Sequence, residues 1–194
     1  MQRQTNTKEK IKDVFIKLIN EKGFDSISVS DITRSANINR GTFYLHYLDK
    51  YDLLEKLEDE LINEITNILI DETSIYDLEN NSPFEYDVVL KMLNYAKKEF
   101  SFIAAIASEK GDPQFPSKFK KLLHLQITTK FGDLTKKLTP LVAGLSVDYN
   151  IEIMLAAPAA IILLWINNGG KDSPEKIAKL IVDGTRISPY DIVY

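Results

Sequence analysis

The sequence predicts an all-α fold in two parts, a three-helix head within residues 1–50 and a larger helical body over 51–194. Three observations carry this. Apolar residues recur at steps of three and four along most of the chain, whereas alternating segments are scarce and never pair across a hairpin turn. Capping residues and glycine or proline breaks fall where the periodic segments start and stop. Apolar residues make up 44% of the chain, enough to bury a core and too many for wholesale disorder.

The first helix is expected to start after Thr7, a good N-cap, and to run to about Lys22. Ile11, Val14, Phe15, Leu18 and Ile19 make its apolar face. Gly23 is placed to end it, turning Phe24 inward. Ser28, with Asp31 three residues on, resembles a capping box built with the shorter acid, and opens a short helix over about 29–36. Asn37-Ile38-Asn39 is a tight connector. Both asparagines tolerate turn geometry, Ile38 is the apolar plug between them, and Asn39 can cap a third helix from Arg40 to about Tyr47.

A fourth helix is expected over about 50–70, with Leu53, Leu54, Leu57, Leu61, Ile65, Ile68 and Leu69 as its buried stripe. The polar, acidic stretch 71–83 reads as a loop. Further helices are expected over about 84–98, 99–108, 117–138, 147–168 and 174–183. Gly111-Asp112-Pro113 and Gly169-Gly170 break the series, and Ser173-Pro174 supplies an N-cap followed by proline at the first helical position.

Composition excludes several classes of protein. There is no cysteine, hence no disulfide framework, thiolate zinc site or cysteine nucleophile, which suits a reducing cytosol and a cytoplasmic location. Residues 1–10 are polar and do not read as a secretory signal. The longest nearly apolar run, 151–166, contains Glu152 and Pro158 and falls short of the roughly 20 residues that span a bilayer, so it reads as a buried helix with no membrane role. His46 and His124 are the two histidines, which rules out a multi-histidine metal site, and no calcium-binding loop spacing occurs. No nucleophile elbow or glycine-rich phosphate loop appears, so neither catalytic residues nor a cofactor is expected. Residues 1–50 carry nine Lys/Arg against six Asp/Glu, and residues 51–194 carry fifteen against twenty-two. A basic head on an acidic body suggests a polyanion partner for the head.

Two short helices joined by a tight turn, with a third in support, make a helix-turn-helix, here over about residues 28–47. The second helix of such a motif enters the DNA major groove. Its exposed face would offer Arg40, Thr42, Tyr44, Leu45 and His46, while Phe43 and Tyr47, four apart, share the inward face with Ile32 and Ile38. Arg40 can contact a guanine edge or a phosphate. Thr42 can give a hydroxyl contact or meet a thymine methyl. Tyr44 and His46 can donate to phosphate oxygens, and Gly41 lets the backbone approach closely. Lys50 is placed where its ammonium and the free N–H groups of the fourth helix could hold one phosphate. Ser28 and Thr33, on the supporting helix, complete the DNA-facing set.

The stretch 24–54, FDSISVSDITRSANINRGTFYLHYLDKYDLL, resembles the signature of the TetR family of transcriptional regulators. The matching elements are Gly23-Phe24, Ser28-Val29 with Asp31-Ile32, Gly41-Thr42-Phe43-Tyr44, and the Tyr47-to-Lys50 ending followed by Leu53-Leu54. The resemblance implies phosphate contacts for Tyr44, His46 and Lys50, and base-facing positions for Arg40, Thr42 and Leu45. Tyr47 stands where phenylalanine or valine is commoner. Farther on, Leu164-Trp165-Ile166-Asn167-Asn168 and Ser173-Pro174-Glu175 resemble a Gram-positive subgroup that includes an activator of dihydroxyacetone metabolism with a protein coactivator. Pro158 departs from that pattern.

The resemblance implies a homodimer that grips a near-palindromic, double-stranded operator, with half-sites roughly 34 Å apart. Ile153 to Ile166 is too apolar for a helix with one solvated face, so the last two long helices are expected to pair with their twins as a four-helix bundle. Two forms of control stay open: a small-molecule inducer acting on a repressor, or a partner protein acting on an activator-type regulator. A helical enzyme is the poorest fit. The body's aromatic and methionine residues read mainly as core, with Met92, Tyr95, Phe102, Phe119, Leu123 and Trp165 as candidate lining of an apolar inducer pocket. His124, among leucines, reads as a packed or partly exposed histidine.

Overall fold

The computed structural model describes residues 2–71, 84–131 and 146–184, and among these every regular element is a helix. In chain order they are α1 (Gln2–Lys22), a 3₁₀ turn (Phe24–Ser26), α2 (Val29–Ser35), α3 (Arg40–Tyr44), α4 (Lys50–Asp71), α5 (Tyr86–Lys98), α6 (Phe100–Ala107), α7 (Phe115–Phe131), α8 (Val147–Asn167) and α9 (Pro174–Gly184). Two compact units result. One takes in Met1–Asn63 with Ser101–Phe115, and the other Glu64–Phe100 with Pro116–Tyr194. These units differ from the division at residue 50, because the first half of α4 packs with the head and a later helix joins it there. The expected loop 71–83 and the expected end of the helix near 138 lie largely outside the described residues.

The first unit is organised by phenylalanines. Ile11, Phe15 and Ile19 on α1, Ile32 on α2, Phe43 on α3 and Leu53 on α4 are wholly buried. Val14 is only half-buried. Burying one such side chain is worth about 1.5–3 kcal/mol. Gly23 closes α1 at φ +81, its N–H donating to the Ile19 carbonyl at 2.9 Å, and the reversal sends Phe24 against the edge of Phe15 at 6.1 Å. The Phe24 N–H then donates to the Lys110 carbonyl at 2.8 Å, while the Lys110 ammonium donates to the Asn20 carbonyl at 3.1 Å. The turn after α6 is thereby laced to the end of α1. Gly111 is obligatory in that turn, since a Cβ there would stand 2.2 Å from the Ile106 carbonyl oxygen.

In the second unit α9 packs against α5 and α8. Val88, Val89 and Leu93 of α5 are buried, as are Ile177, Ala178, Ile181 and Val182 of α9. Trp165 is core: its indole N–H donates to the Asp172 carbonyl at 2.9 Å, and its ring meets that of Phe100 edge-on at 5.6 Å. Lys97 donates to the Gly170 carbonyl at 2.6 Å and lies over both rings. Helix α8 carries two apolar faces. Ile151, Leu155, Ile162, Trp165 and Ile166 face into the unit, whereas Tyr149, Ile153 and Leu164 are 64%, 52% and 61% exposed. Pro158 lies inside α8, where it removes the N–H that would reach the Met154 carbonyl without ending the helix. None of the described helices is long and apolar enough to cross a membrane.

Several boundaries differ from the sequence expectation. Helix α1 begins at Gln2 rather than after Thr7, and a 3₁₀ turn occupies Phe24–Ser26. Helix α3 ends at Tyr44, although the Tyr47 N–H still donates to the Phe43 carbonyl at 3.0 Å, so the helical turn continues long enough to bring both rings inward. Helix α7 starts at Phe115 with Pro116 next, a position whose N–H would have had no partner within the helix.

Candidate nucleic-acid interface

The supporting helix is fixed by one carboxylate. The Ser28 backbone N–H donates to Asp31 Oδ2 at 3.0 Å and the Asp31 N–H donates back to Ser28 Oγ at 3.2 Å, the reciprocal pair of a capping box. Ser28 Oγ also donates to Asp31 Oδ2 at 2.6 Å. Lys22, from α1, reaches the same oxygen at 2.6 Å, and Arg34 takes Oδ1 at 2.9 Å. Lys22 foremost, with Ser28, holds the Asp31 carboxyl well below the usual carboxylate range. A depressed acid stabilises the fold above its unfolded pKa and loses that contribution as pH falls through the folded one. The wild type is therefore expected to melt higher than Asp31→Asn near neutrality, with the gap narrowing as the pH drops below about 4. Paired thermal melts from pH 6 to 3 measure this, and a gap independent of pH would contradict it.

The cap alters the DNA-facing set. The Ser28 hydroxyl proton and backbone N–H both go to Asp31, so Ser28 has no donor left for a phosphate. Thr33 is 5% exposed, and its hydroxyl donates to the Ser30 carbonyl at 3.3 Å. It is a core residue of α2, not a groove-facing one, because the inward side of so short a helix takes both Ile32 and its neighbour.

The turn into α3 follows its residue types. Asn37 sits at φ +50, a conformation asparagine adopts more readily than most residues. Ile38 is half-buried beside it. The Asn39 side chain caps α3, accepting from the Gly41 N–H at 2.9 Å. Phe43 is wholly buried, 5.5 Å from the ring of Tyr47. Burial foremost, then Glu60 and Asp52, pushes the Tyr47 phenol up to about 12. With that side locked inward, Arg40, Gly41, Tyr44 and Leu45 are exposed, and Thr42 and His46 half-exposed. Leu45 is 82% and Tyr44 54% exposed, a large apolar presentation on a helix one turn long. A Cβ on Gly41 would meet nothing nearer than Asn39 Oδ1 at 3.5 Å, so the chain's own packing does not require glycine there.

Lys50 opens α4 differently from the sequence expectation. Asp49 caps that helix, its Oδ1 accepting from the N–H groups of Tyr51 at 2.8 Å and Asp52 at 2.9 Å. These N–H groups are therefore taken, by a carboxylate that repels a phosphate. The Lys50 ammonium donates to the Phe24 carbonyl at 3.0 Å and the Asp25 carbonyl at 2.7 Å, and lies 4.9 Å from the Phe24 ring centroid and 5.2 Å from that of Tyr51. A lysine has three donors, so one remains to point outward. The segment after α3 is pinned as well. Lys56 donates to the His46 carbonyl at 3.1 Å and to Asp52 at 2.9 Å, and Asp52 accepts from the Leu48 N–H at 2.8 Å. Lys56 foremost and then the Leu48 N–H lower the Asp52 pKa. Asp49, with its capping side chain one residue ahead of a helical run, was legible in the sequence. Lys56 and Ser30, which receives the Arg40 guanidinium on its Oγ, were not.

The six candidate pocket residues are divided between the two units, one in the first and five in the second. Phe102 is buried in the first unit, with the Lys12 ammonium 5.3 Å from its ring centroid. The other five belong to the second unit, where Leu123 and Trp165 are buried and Met92, Tyr95 and Phe119 half-buried. An open groove there is lined by Ser117, Lys120, Lys121, His124 and Glu152, with Lys120 paired to Glu152, and none of the six lines it.

A helix-turn-helix with an apolar-backed recognition helix, joined to a helical body, defines a DNA-binding regulator by fold. Residues 13–57 match the bacterial regulatory proteins of the tetR family, and residues 85–185 match a transcriptional regulator C-terminal region. The chain belongs to the tetR family. It is 33% identical over 123 residues to the HTH-type transcriptional regulator YxbF of Bacillus subtilis (strain 168), covering 62% of this chain and 31% of that protein. It is 35% identical over 63 residues to the biofilm operon icaADBC HTH-type negative transcriptional regulator IcaR of Staphylococcus epidermidis, covering 32% of this chain and 34% of that one. The chain thus spans about a third of the length of these curated relatives. Its fold resembles that of the dihydroxyacetone kinase operon activator DhaS with a TM-score of 0.61 and 24% identity, over 93% of this chain and 94% of the other.

Proposed function

We propose that the chain is a DNA-binding transcriptional regulator, a ligand-responsive repressor that grips a palindromic operator as a homodimer in the cytoplasm. The observation that carries this reading is the outer face of α3. Tyr44 and Leu45 are held out to solvent while Phe43 is wholly buried. Gly41 supports it, because a glycine costs about 1 kcal/mol in a helix and the chain's own packing gives no return for that cost. A backbone approaching the groove closely does. Arg40, Thr42 and Leu45 then face bases, and Tyr44, His46 and the remaining donor of Lys50 face phosphates. IcaR, a negative regulator similar over 63 residues, favours repression.

Control would run through α4, which continues unbroken from Lys50 to Asp71 and passes from the first unit into the second. An effector in the body that displaces α4 changes the separation of the two heads and so the population able to bind DNA. A thermal-shift screen of metabolites, set beside pull-down from cell extract, separates a small-molecule effector from a partner protein.

Tyr44→Phe deletes only a hydroxyl. It is expected to weaken operator and random duplex alike, by about 3- to 10-fold. Lys50→Ala is expected to cost more and to reduce the slope of affinity against salt by about one. Anisotropy titrations at several salt concentrations read both effects. Undiminished binding to either duplex by both variants would remove the phosphate roles.

A further inference from the structure

We infer that Ser30 is a positioning residue that sets the Arg40 guanidinium to read a guanine, an inference that rests on the operator-binding reading above. Ser30 is the second residue of α2 and Arg40 the first of α3, so the two stand on different helices of the motif. Arg40 Nη2 donates to Ser30 Oγ across the gap between them. An arginine on an open surface samples many rotamers and loses that freedom when it binds. One hydrogen bond from the neighbouring helix restricts the guanidinium to a narrow range of planes, and plane orientation decides whether its remaining N–H donors can engage an acceptor pair together.

The surroundings leave that geometry in place. Asp31, the carboxylate adjacent to Ser30, already receives Lys22 and Ser28 on one oxygen and Arg34 on the other, so it does not draw Arg40 into an ion pair. Ser30 Oγ uses a lone pair on Arg40, and among the described residues its own proton has no acceptor. The pair therefore presents donors outward: the free guanidinium N–H groups and one hydroxyl. Guanine offers two acceptors, N7 and O6, on its major-groove edge, whereas adenine offers an acceptor beside an amino donor. The guanidinium, which has donors and no acceptor, matches the first and opposes the second.

The test is selection of bound duplexes from a random pool with the full chain as wild type, Ser30→Ala, Ser30→Thr, Arg40→Ala and the double alanine variant. The wild type is expected to enrich a guanine at one position of each half-site, and Arg40→Ala to lose it. Ser30→Ala should reduce that preference by about 5- to 10-fold at the same position, with the melting temperature unchanged. Ser30→Thr, which keeps the hydroxyl, should restore it, and the double variant should match Arg40→Ala. Full guanine preference in Ser30→Ala overturns the inference. So does a loss equal for all sequences, which would make the pair a phosphate clamp, or a double variant worse than Arg40→Ala. A wild type that enriches no duplex defeats the operator reading and this inference with it, whereas an enriched operator indifferent to Ser30 defeats this inference alone.

Discussion

Ile153→Glu combined with Leu164→Glu is expected to convert the protein to a monomer and to lower operator affinity by at least about 100-fold, because two tethered heads gain that much over one. The basis is the second apolar face of α8. Tyr149, Ile153, Ala156, Ala160 and Leu164 follow one another at steps of three and four, and all five are exposed. A helix whose other side is already packed keeps such a stripe only if something covers it. A second copy of the same stripe is self-complementary, as a two-fold interface requires. Placing unpaired carboxylates in it carries the cost of burying a charge. Both residues are solvent-exposed within the protomer, so helix content should be preserved. Sedimentation at micromolar concentration reads the assembly and anisotropy the affinity. A dimer that persists in the double variant would move the interface off α8.

Phe43→Ala carries the other large effect, and by a different route. The side chain is wholly buried, with Tyr44 edge-on at 5.7 Å and Tyr47 at 5.5 Å. Truncating a buried phenylalanine costs about 3–5 kcal/mol, against a total of about 5–15 kcal/mol for a typical domain. The head should melt well below the wild type and lose DNA binding at 37 °C, although Phe43 faces away from the groove. Phe43→Leu, which keeps most of the volume, should cost under about 1.5 kcal/mol and retain binding. Hydrogen exchange across residues 11–54 distinguishes the mechanisms. Unchanged protection with binding lost would place Phe43 in the interface instead of beneath it.

Much of the head was readable because its signals are local. Ser28 and Asp31 are three residues apart, and a capping box needs no tertiary information. Gly23 at a positive φ, Asn39 capping α3 and the four-residue spacing of Phe43 and Tyr47 are likewise properties of short segments. The recognition-helix residues were legible for the same reason: once Phe43 points inward, the helical period sends Tyr44 and Leu45 out. Thr33 shows where this stops. On a seven-residue helix the period alone does not say whether a residue beside Ile32 lies just inside or just outside the core, and contact with the rest of the unit places it inside.

The class of fold, the order of helices, the side of α3 that faces out and the apolar excess of α8 are all written in local residue spacing. Each of these follows from spacing within a turn or two of helix, where backbone geometry alone sets which residues are neighbours. Where distant groups meet is set by helix packing. It brought Lys50 onto the carbonyls of Phe24 and Asp25, Lys110 onto Asn20, and Arg40 onto Ser30, and it placed Phe102 in a different unit from Trp165. Such pairings depend on how helices pack, so a residue's chemistry in this protein, such as how many of the three donors of Lys50 are already taken, follows from its neighbours in space and not from its place in the chain.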